Sequence, residues 1–170
     1  DDLNGKGNIN FSAGATLIGG GNNNSGPVVG NFTGLIQGDG NLTKIGTGTQ
    51  TLSSPNTYTG LTTVDDGILN VTVNNALGSS PGGTLVNDGG TLKLSNNVNY
   101  STPEALTLNG AGALVGTPGA LLVDGGAATW TGPITLGSDA TIGAYNNGTL
   151  TLAGNVSKSG VNLTLEGNGA

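Results

Sequence analysis

One short phrase returns along the chain: a turn that contains glycine, followed by Thr or Asn alternating with Leu, Val or Ile. Alternation with a period of two places the apolar side chains on one face of a short β-strand. The flanking Gly, Asn and Asp residues tolerate the positive φ angles of tight turns. The phrase occupies residues 67–73, 90–94, 105–108, 133–136, 148–152 and 162–165. Because no stretch has the 3.6-residue period of an amphipathic helix, the sequence predicts an all-β protein with essentially no helix.

The leucines of these strands recur at intervals that fit a solenoid. The intervals are about 14 residues between Leu108, Leu122, Leu136 and Leu150, about 17 from Leu52 to Leu69, and about 23 from Leu69 to Leu92. A repeat of this length supplies one coil of two or three short strands, with equivalent leucines stacked about 4.8 Å apart. We therefore predict a parallel β-helix of about eight coils. The alternative is a β-sandwich, which normally has more aromatic residues and fewer glycines.

The prediction treats residues 1–170 as a single β-solenoid segment. Its parts are N-terminal coils over 1–30, the clearest repeat over 31–80, and degenerate coils over 81–170. The open ends of a solenoid carry unpaired backbone groups. We therefore expect flanking parts of a longer chain, or end-to-end or lateral stacking of copies of this chain, to be the partners of the segment.

The composition agrees with a narrow, well-packed interior. Glycine accounts for 34 of 170 residues, and the aromatic residues are one Trp, three Tyr and two Phe. A core of small and branched side chains suits stacked short strands better than a broad globular core. Apolar residues make up 34% and charged residues 8% of the chain, a balance unlike that of disordered proteins.

The charge excludes two classes of partner. The formal net charge is −6, and the chain has four Lys and neither Arg nor His. Nucleic acids and anionic membrane surfaces are bound by clustered basic side chains, so neither is an expected partner. No apolar run approaches the ~20 residues that span a bilayer, so we expect no membrane insertion by this segment. The absence of Cys excludes disulfides and thiolate metal sites.

Residues 38–69 resemble a known repeat of bacterial surface proteins, the autotransporter-associated β-strand repeat, also called the passenger-associated transport repeat. The matching positions are Gly38, Gly40, Leu42, Lys44, Gly46, Gly48, Leu52, Asn56, Tyr58, Gly60, Thr62, Val64, Gly67 and Leu69. Residues 75–78 and 130–136 are similar to looser parts of the same pattern. Gln50 and Leu61 depart from it, and Gln50 needs a hydrogen-bond partner if its side chain points inward.

The resemblance implies a right-handed β-helix in a large bacterial protein that is extracellular or at the cell surface. It implies a role in passenger secretion or in an adhesin-like stalk or fibre, and it brings no catalytic residues. Our leading hypothesis is therefore a stiff structural element that is not an enzyme. The alternative is a carbohydrate-binding or carbohydrate-active β-helix that acts on extracellular or matrix polysaccharide.

The acidic residues are the candidates for that alternative. Lyases and hydrolases with this fold rely on Arg or His, which this chain lacks, but a glycosidase needs only two carboxyl groups about 5–9.5 Å apart. The candidate carboxyl groups belong to Asp65, Asp66, Glu104, Asp88, Asp124, Asp139 and Glu166. Asp66, Asp88 and Asp124 each precede a glycine, which favours a turn-capping role. We predict no catalytic, metal or cofactor site, with Ca²⁺ at the turn aspartates as a weaker alternative.

Three further residue types have a structural and a functional interpretation. Trp130 is expected to pack in the fold, and the alternative is a platform for a sugar ring. Lys44 is expected to be a solvated side chain on a strand face. Asn-x-Ser/Thr triplets are numerous, for example at Asn10, Asn31, Asn41, Asn70, Asn99, Asn155 and Asn162. We interpret them as a product of the strand alternation that lets Asn side chains link neighbouring coils, rather than as glycosylation sites.

Overall fold

The computed structural model describes residues 5–19 and 29–168, and the strands there pair only in parallel. The chain passes repeatedly over three faces. Face A consists of β1 (Ile9–Phe11), β4 (Ile36–Gly38), β11 (Asn99–Tyr100), β14 (Ala127–Trp130) and β16 (Thr149–Leu152). Face B consists of β2 (Thr16–Gly19), β5 (Asn41–Lys44), β7 (Thr62–Val64), β9 (Thr84–Val86), β12 (Leu106–Gly110), the first half of β15 (Ile134–Tyr145) and β17 (Val156–Lys158). Face C consists of β3 (Val29–Phe32), β6 (Thr49–Leu52), β8 (Gly67–Val71), β10 (Gly90–Leu94), β13 (Leu121–Asp124), the second half of β15, and β18 (Leu163–Gly167).

This architecture is a parallel β-solenoid of about six turns, and the described residues contain no helix. The predicted fold class is therefore confirmed, and every predicted strand segment overlaps an observed strand. The right hand of the coil stays a prediction. Residues 1–4 and 20–28 of the predicted N-terminal coils, and residues 169–170, lie outside the described residues.

The coils are fewer than the predicted eight, because the short leucine interval of the later chain is about half a coil. Leu108 and Leu136 pair with each other on face B, whereas Leu122 lies between them on face C and Leu150 lies on face A. The strands that hold Leu108 and Leu136 are also joined by a hydrogen bond between the amide of Gly110 and the hydroxyl of Ser138. These two residues are 28 residues apart in the chain. The corresponding separation is 20 residues where the side chain of Asn41 contacts the amide of Leu61. The length of a coil therefore varies along the solenoid.

The core is built from columns of side chains that repeat from strand to strand. On face C one inward column contains Gln50, Leu69, Leu92, Leu121 and Ile142. All five side chains are buried. Each fully buried aliphatic side chain stabilises the fold by about 1.5–3 kcal/mol, so the stacked columns provide the main stabilisation of the solenoid.

The corner between faces C and A repeats one backbone conformation in three successive coils. Two consecutive residues there have positive φ angles: Asn96 and Asn97 (58° and 55°), Gly125 and Gly126 (80° and 76°), and Asn146 and Asn147 (52° and 60°). Asn and Gly tolerate this left-handed region better than other residues. The turn residues that the sequence repeats are therefore required by the corner geometry.

The corner between β12 and β13 is longer and projects from the solenoid. The hydroxyl of Thr91, in the neighbouring coil, donates a hydrogen bond to the carbonyl oxygen of Gly119 at 2.9 Å and accepts one from the amide of Ala113 at 2.9 Å. The Val115 side chain at the tip is fully exposed. This loop accounts for the greater length of its coil, and the pairing of β12 with β15 shifts register between Leu108 and Gly110, just before the loop begins.

Candidate functional site

The turn aspartates are engaged in local hydrogen bonds. The Asp66 carboxylate accepts a hydrogen bond from the amide of Gly67 at 2.7 Å, and that of Asp65 accepts one from the side-chain amide of Asn87 at 2.7 Å. The contact of Asp66 with the following glycine is the turn-capping arrangement that the Asp-Gly pair predicts.

Two exposed aspartates farther along the chain link successive coils. Lys93 and Asn146 donate hydrogen bonds to Asp124 at 2.9 and 2.5 Å, and these contacts lower the pKa of its carboxyl group. Asn162 donates its backbone and side-chain N–H groups to Asp139 at 2.7 and 3.2 Å, which lowers the pKa of that carboxyl group. Both carboxyl groups are therefore held in the ionised form by their neighbours.

No group of three carboxylates in the described part of the chain could share a metal ion. The expectations of no cofactor and of no catalytic residue stay predictions, as does the weaker alternative of Ca²⁺ at single turns.

Trp130, the candidate platform for a sugar ring, and the neighbouring aromatic residue of the later coils, Tyr145, both lie inside the fold. Trp130 is fully buried, and its ring stacks on that of Tyr100 with 4.7 Å between centroids and 14° between planes. Its indole nitrogen has no hydrogen-bond partner among the described residues. Tyr145 is buried and its hydroxyl lies 3.2 Å from the carbonyl oxygen of Pro118. A sugar ring therefore has no exposed face of Trp130 on which to stack, and the packing interpretation agrees with the structure.

The prediction that Lys44 lies on a solvated face is wrong. Its side chain is 1% exposed. The ammonium group donates hydrogen bonds to the carbonyl oxygens of Ile45, Gly46 and Asp66 at 2.9, 2.6 and 3.0 Å. Lys44 therefore closes the corner between faces B and C from the inside, where it satisfies backbone groups of two successive coils.

Asn56 makes an equivalent connection at the corner between faces C and A, and the sequence indicates no role for it beyond its place in the resemblance. Its side-chain oxygen accepts a hydrogen bond from the amide of Ile36 at 2.8 Å, and its side-chain nitrogen donates one to the carbonyl of Ala76 at 2.6 Å. One buried amide thus joins the coil on either side of its own, at a place between β4 and β11 where face A has no regular strand.

The two departures from the repeat pattern are accommodated without disturbing the coil. Gln50 is buried, and its side-chain nitrogen donates a hydrogen bond to the carbonyl of Thr51 at 3.1 Å. The inward Gln50 therefore has the partner that its position requires. Leu61 lies at the surface, with 39% of its area exposed, so it takes no position from the core.

Asparagine side chains of the Asn-x-Ser/Thr triplets bridge neighbouring coils. Asn41 accepts a hydrogen bond from the amide of Leu61 at 2.8 Å. Asn70 donates to the hydroxyl of Thr51 at 3.2 Å and accepts from that of Ser95 at 2.7 Å, which connects three coils. These contacts agree with the linking role that the alternation suggests.

Glu104 is the one candidate carboxyl group buried in the described core. It is fully buried between β11 and β12, and it accepts hydrogen bonds from the hydroxyls of Thr84 at 2.5 Å and Tyr100 at 3.1 Å. The Tyr100 hydroxyl in turn accepts a hydrogen bond from the amide of Leu77 at 2.9 Å. Burial raises the pKa of Glu104 from 4.5 to about 7, and the two hydroxyl donors only partly offset that effect.

The outer surface of face B carries a column without an ionisable side chain. The column contains Ile18, Thr43, Thr63, Leu85, Thr107, Thr135 and Ser157, each paired with the next. The hydroxyls of Thr135 and Ser157 lie 3.2 Å apart.

None of the described residues belongs to a helix that could cross a membrane.

The comparison with protein families identifies the repeat from which this geometry arises. Residues 42–71 match the family model of the passenger-associated-transport-repeat. No curated protein and no solved structure matches the chain. The matched residues run from the first inward leucine of β5 to the end of β8, so they contain Lys44 and Asn56 and complete more than one coil. The chain therefore carries a passenger-associated-transport-repeat within a parallel β-solenoid.

Proposed function

We propose that the segment is a stiff, non-catalytic spacer in a bacterial protein that is extracellular or at the cell surface, as in an adhesin-like stalk or a passenger. One observation carries the proposal: parallel pairing continues from strand to strand through the seven strands of face B and the seven of face C, with one register shift between β12 and β15. A rod that is hydrogen-bonded along its axis resists bending and stretching far better than a flexible linker does. At about 4.8 Å per strand, the six intervals extend roughly 29 Å along the axis.

The arrangement of side chains supports this function over action on polysaccharide. The aromatic ring that a sugar would need is inside the core. Asp65, Asp66, Asp124 and Asp139 are occupied with contacts that join or close the coils. The partners that fit a spacer are the flanking parts of its own protein or further copies of the chain, and it needs no cofactor.

The stiffness can be measured directly, because the chain has no Cys to interfere with spin labelling. Cysteines placed at Thr43 and Ser157 are five intervals apart on the outer column of face B, about 24 Å between Cα atoms. We expect pulsed electron spin resonance to give a narrow distance distribution. The pair Thr43 and Thr135 is the matched control, and it should give a distance shorter by one interval. A broad distribution for both pairs would contradict the spacer.

The carbohydrate-active form of the rival function requires turnover. We expect no release of reducing sugars or unsaturated products when the purified segment is incubated with a panel of extracellular polysaccharides. Turnover that disappears on Asp139→Asn or Asp66→Asn substitution would replace the spacer with an enzyme.

A further inference from the structure

The Glu104 carboxyl group occupies the centre of a hydroxyl network inside the solenoid. Thr84 reaches it from β9, one coil away, and Tyr100 reaches it from β11. On the side of the next coil the backbone is too close to admit anything larger than glycine, because a Cβ atom on Gly132 would collide with the carbonyl oxygen of Glu104. The backbone of Glu104 is therefore packed against the next coil, and its carboxyl group is shielded from solvent and bonded to Tyr100 in its own coil and Thr84 in the preceding one.

The groups that surround Glu104 provide dipoles but no positive charge. The titratable neighbours are the phenols of Tyr58 and Tyr100, and burial raises the pKa of both well above the ordinary range, so both stay neutral. Thr84 on β9 and Gly132 above are not ionisable. Desolvation is the largest influence on the carboxyl group, followed by the hydroxyl contacts of Thr84 and Tyr100. An ionised carboxylate here has no counter-ion to repay its desolvation.

We propose that Glu104 is a proton-responsive latch between the middle coils of the solenoid. With its proton bound, the network of Thr84, Tyr100 and the Leu77 amide closes this part of the interior. When the proton leaves, a buried charge remains, and local opening of residues 77–106 relieves it by admitting water. The latch regulates the stability of these coils and does not depend on what the whole protein binds.

The direction of the pH response follows from the pKa of Glu104, which is raised from 4.5 to about 7. Because the folded form binds the proton more tightly than the unfolded form does, the stabilisation is complete below pH 4.5 and is lost as the pH rises through 7. The chain has neither His nor Cys, the residue types that ordinarily titrate in this range. A pH response between 5 and 8 that is lost in Glu104→Gln is therefore the signature of the latch.

Amide hydrogen exchange of the protein without a histidine tag tests the proposal at the Leu77 amide, which bonds to Tyr100. After correction for intrinsic exchange, we expect the opening constant to rise on the order of 50-fold from pH 5 to pH 8. In Glu104→Gln the rise should fall below about threefold, because a neutral amide has no charge to bury. Asp124→Asn is the matched control and should keep the wild-type response.

An equal pH response in the wild type and in Glu104→Gln would overturn the latch. If Glu104→Gln does not fold, the carboxyl carbon of Glu104 can be followed by nuclear magnetic resonance in the wild type. A titration midpoint near 7 supports the latch, and one near 4.5 overturns it. Neither result alters the spin-label distances, so failure of the latch and failure of the spacer are distinguishable.

Discussion

The matched repeat over residues 42–71 and the coils after residue 90 close their interiors by different means. In the repeat, Lys44, Gln50 and Asn56 point inward and make hydrogen bonds to backbone groups at the corners. In the later coils, Leu121 occupies the column of Gln50, and Leu108 occupies the column of Lys44. Tyr100 stacks there on Trp130. The strand register is nevertheless continuous between the two regions. A solenoid can therefore keep its pairing while it exchanges polar corner contacts for apolar stacking.

The largest expected loss of stability is the same in both regions. Leu52 belongs to the repeat and Leu136 to the later coils, and both side chains are buried. Replacing either with Asp puts an unpaired charge in the core, which should destabilise the fold by about 4 kcal/mol or more, on the order of its whole stability. Circular dichroism with urea unfolding measures the loss.

The same pair tests whether stability supports export. We expect less secreted protein from both variants when the segment is exported as part of its parent protein. Export that is unchanged despite lost stability would separate folding from secretion.

The next effect distinguishes the two regions. Lys44→Met leaves three carbonyl groups of the corner without their donor, and we expect a loss of about 2–3 kcal/mol. Lys93→Met is the matched control, because its ammonium group is partly exposed and pairs with Asp124 at the surface. Its loss should stay below about 1 kcal/mol. Equal losses in urea unfolding would show that the interior position of Lys44 has no energetic consequence.

Asn56→Ala removes both bridges to the neighbouring coils, and we expect a loss of about 2 kcal/mol. Amide exchange should show the effect first at Ile36, whose N–H loses its acceptor. The matched control in the same region is Asn70→Ala, whose bridges are only partly buried, and it should cost less. A larger loss of unfolding free energy in Asn70→Ala than in Asn56→Ala would show that the hydrogen bonds of Asn70 on face C contribute more to joining the coils.

The smallest effect lies at the surface of the later coils. Asp124→Asn removes the ion pair with Lys93 and should change the unfolding free energy by less than about 1 kcal/mol. Because the pKa of Asp124 is lowered, its contribution is present above pH 3.8 and is lost as the pH falls through the lowered value. The small difference in unfolding free energy between wild type and variant should therefore be present in urea unfolding near pH 7 and should shrink near pH 3.

Alternation along the strands is sufficient to predict the fold class, but not the number of coils. Leu108 and Leu122 look equivalent in the sequence although they lie on different faces, because the turns between strands vary in length. The sequence does indicate the inward position of Lys44, because Lys44 lies two residues after Leu42 and the two therefore share one side of β5. Its charge led to the opposite prediction.

The environment of Glu104 has no comparable signal. It lies in the irregular segment between β11 and β12, where no alternation fixes which side chains point inward. Its two donors, Thr84 and Tyr100, come from different faces and are brought together only by the closing of the coil. Long-range juxtapositions of this kind depend on the registers of several strands at once.

The projecting corner between β12 and β13 shows that the number of residues in a coil does not set how far that coil advances along the solenoid axis. Gly110 and Ser138 meet although 28 residues separate them in the chain, whereas 20 residues separate Asn41 from Leu61. Each of these coils nevertheless advances by one strand. Axial advance is set by hydrogen-bond spacing, so additional residues extend sideways. Foreign peptides grafted near Val115 should therefore be displayed at a fixed height on the rod, and natural variants can change what the surface presents without moving its ends.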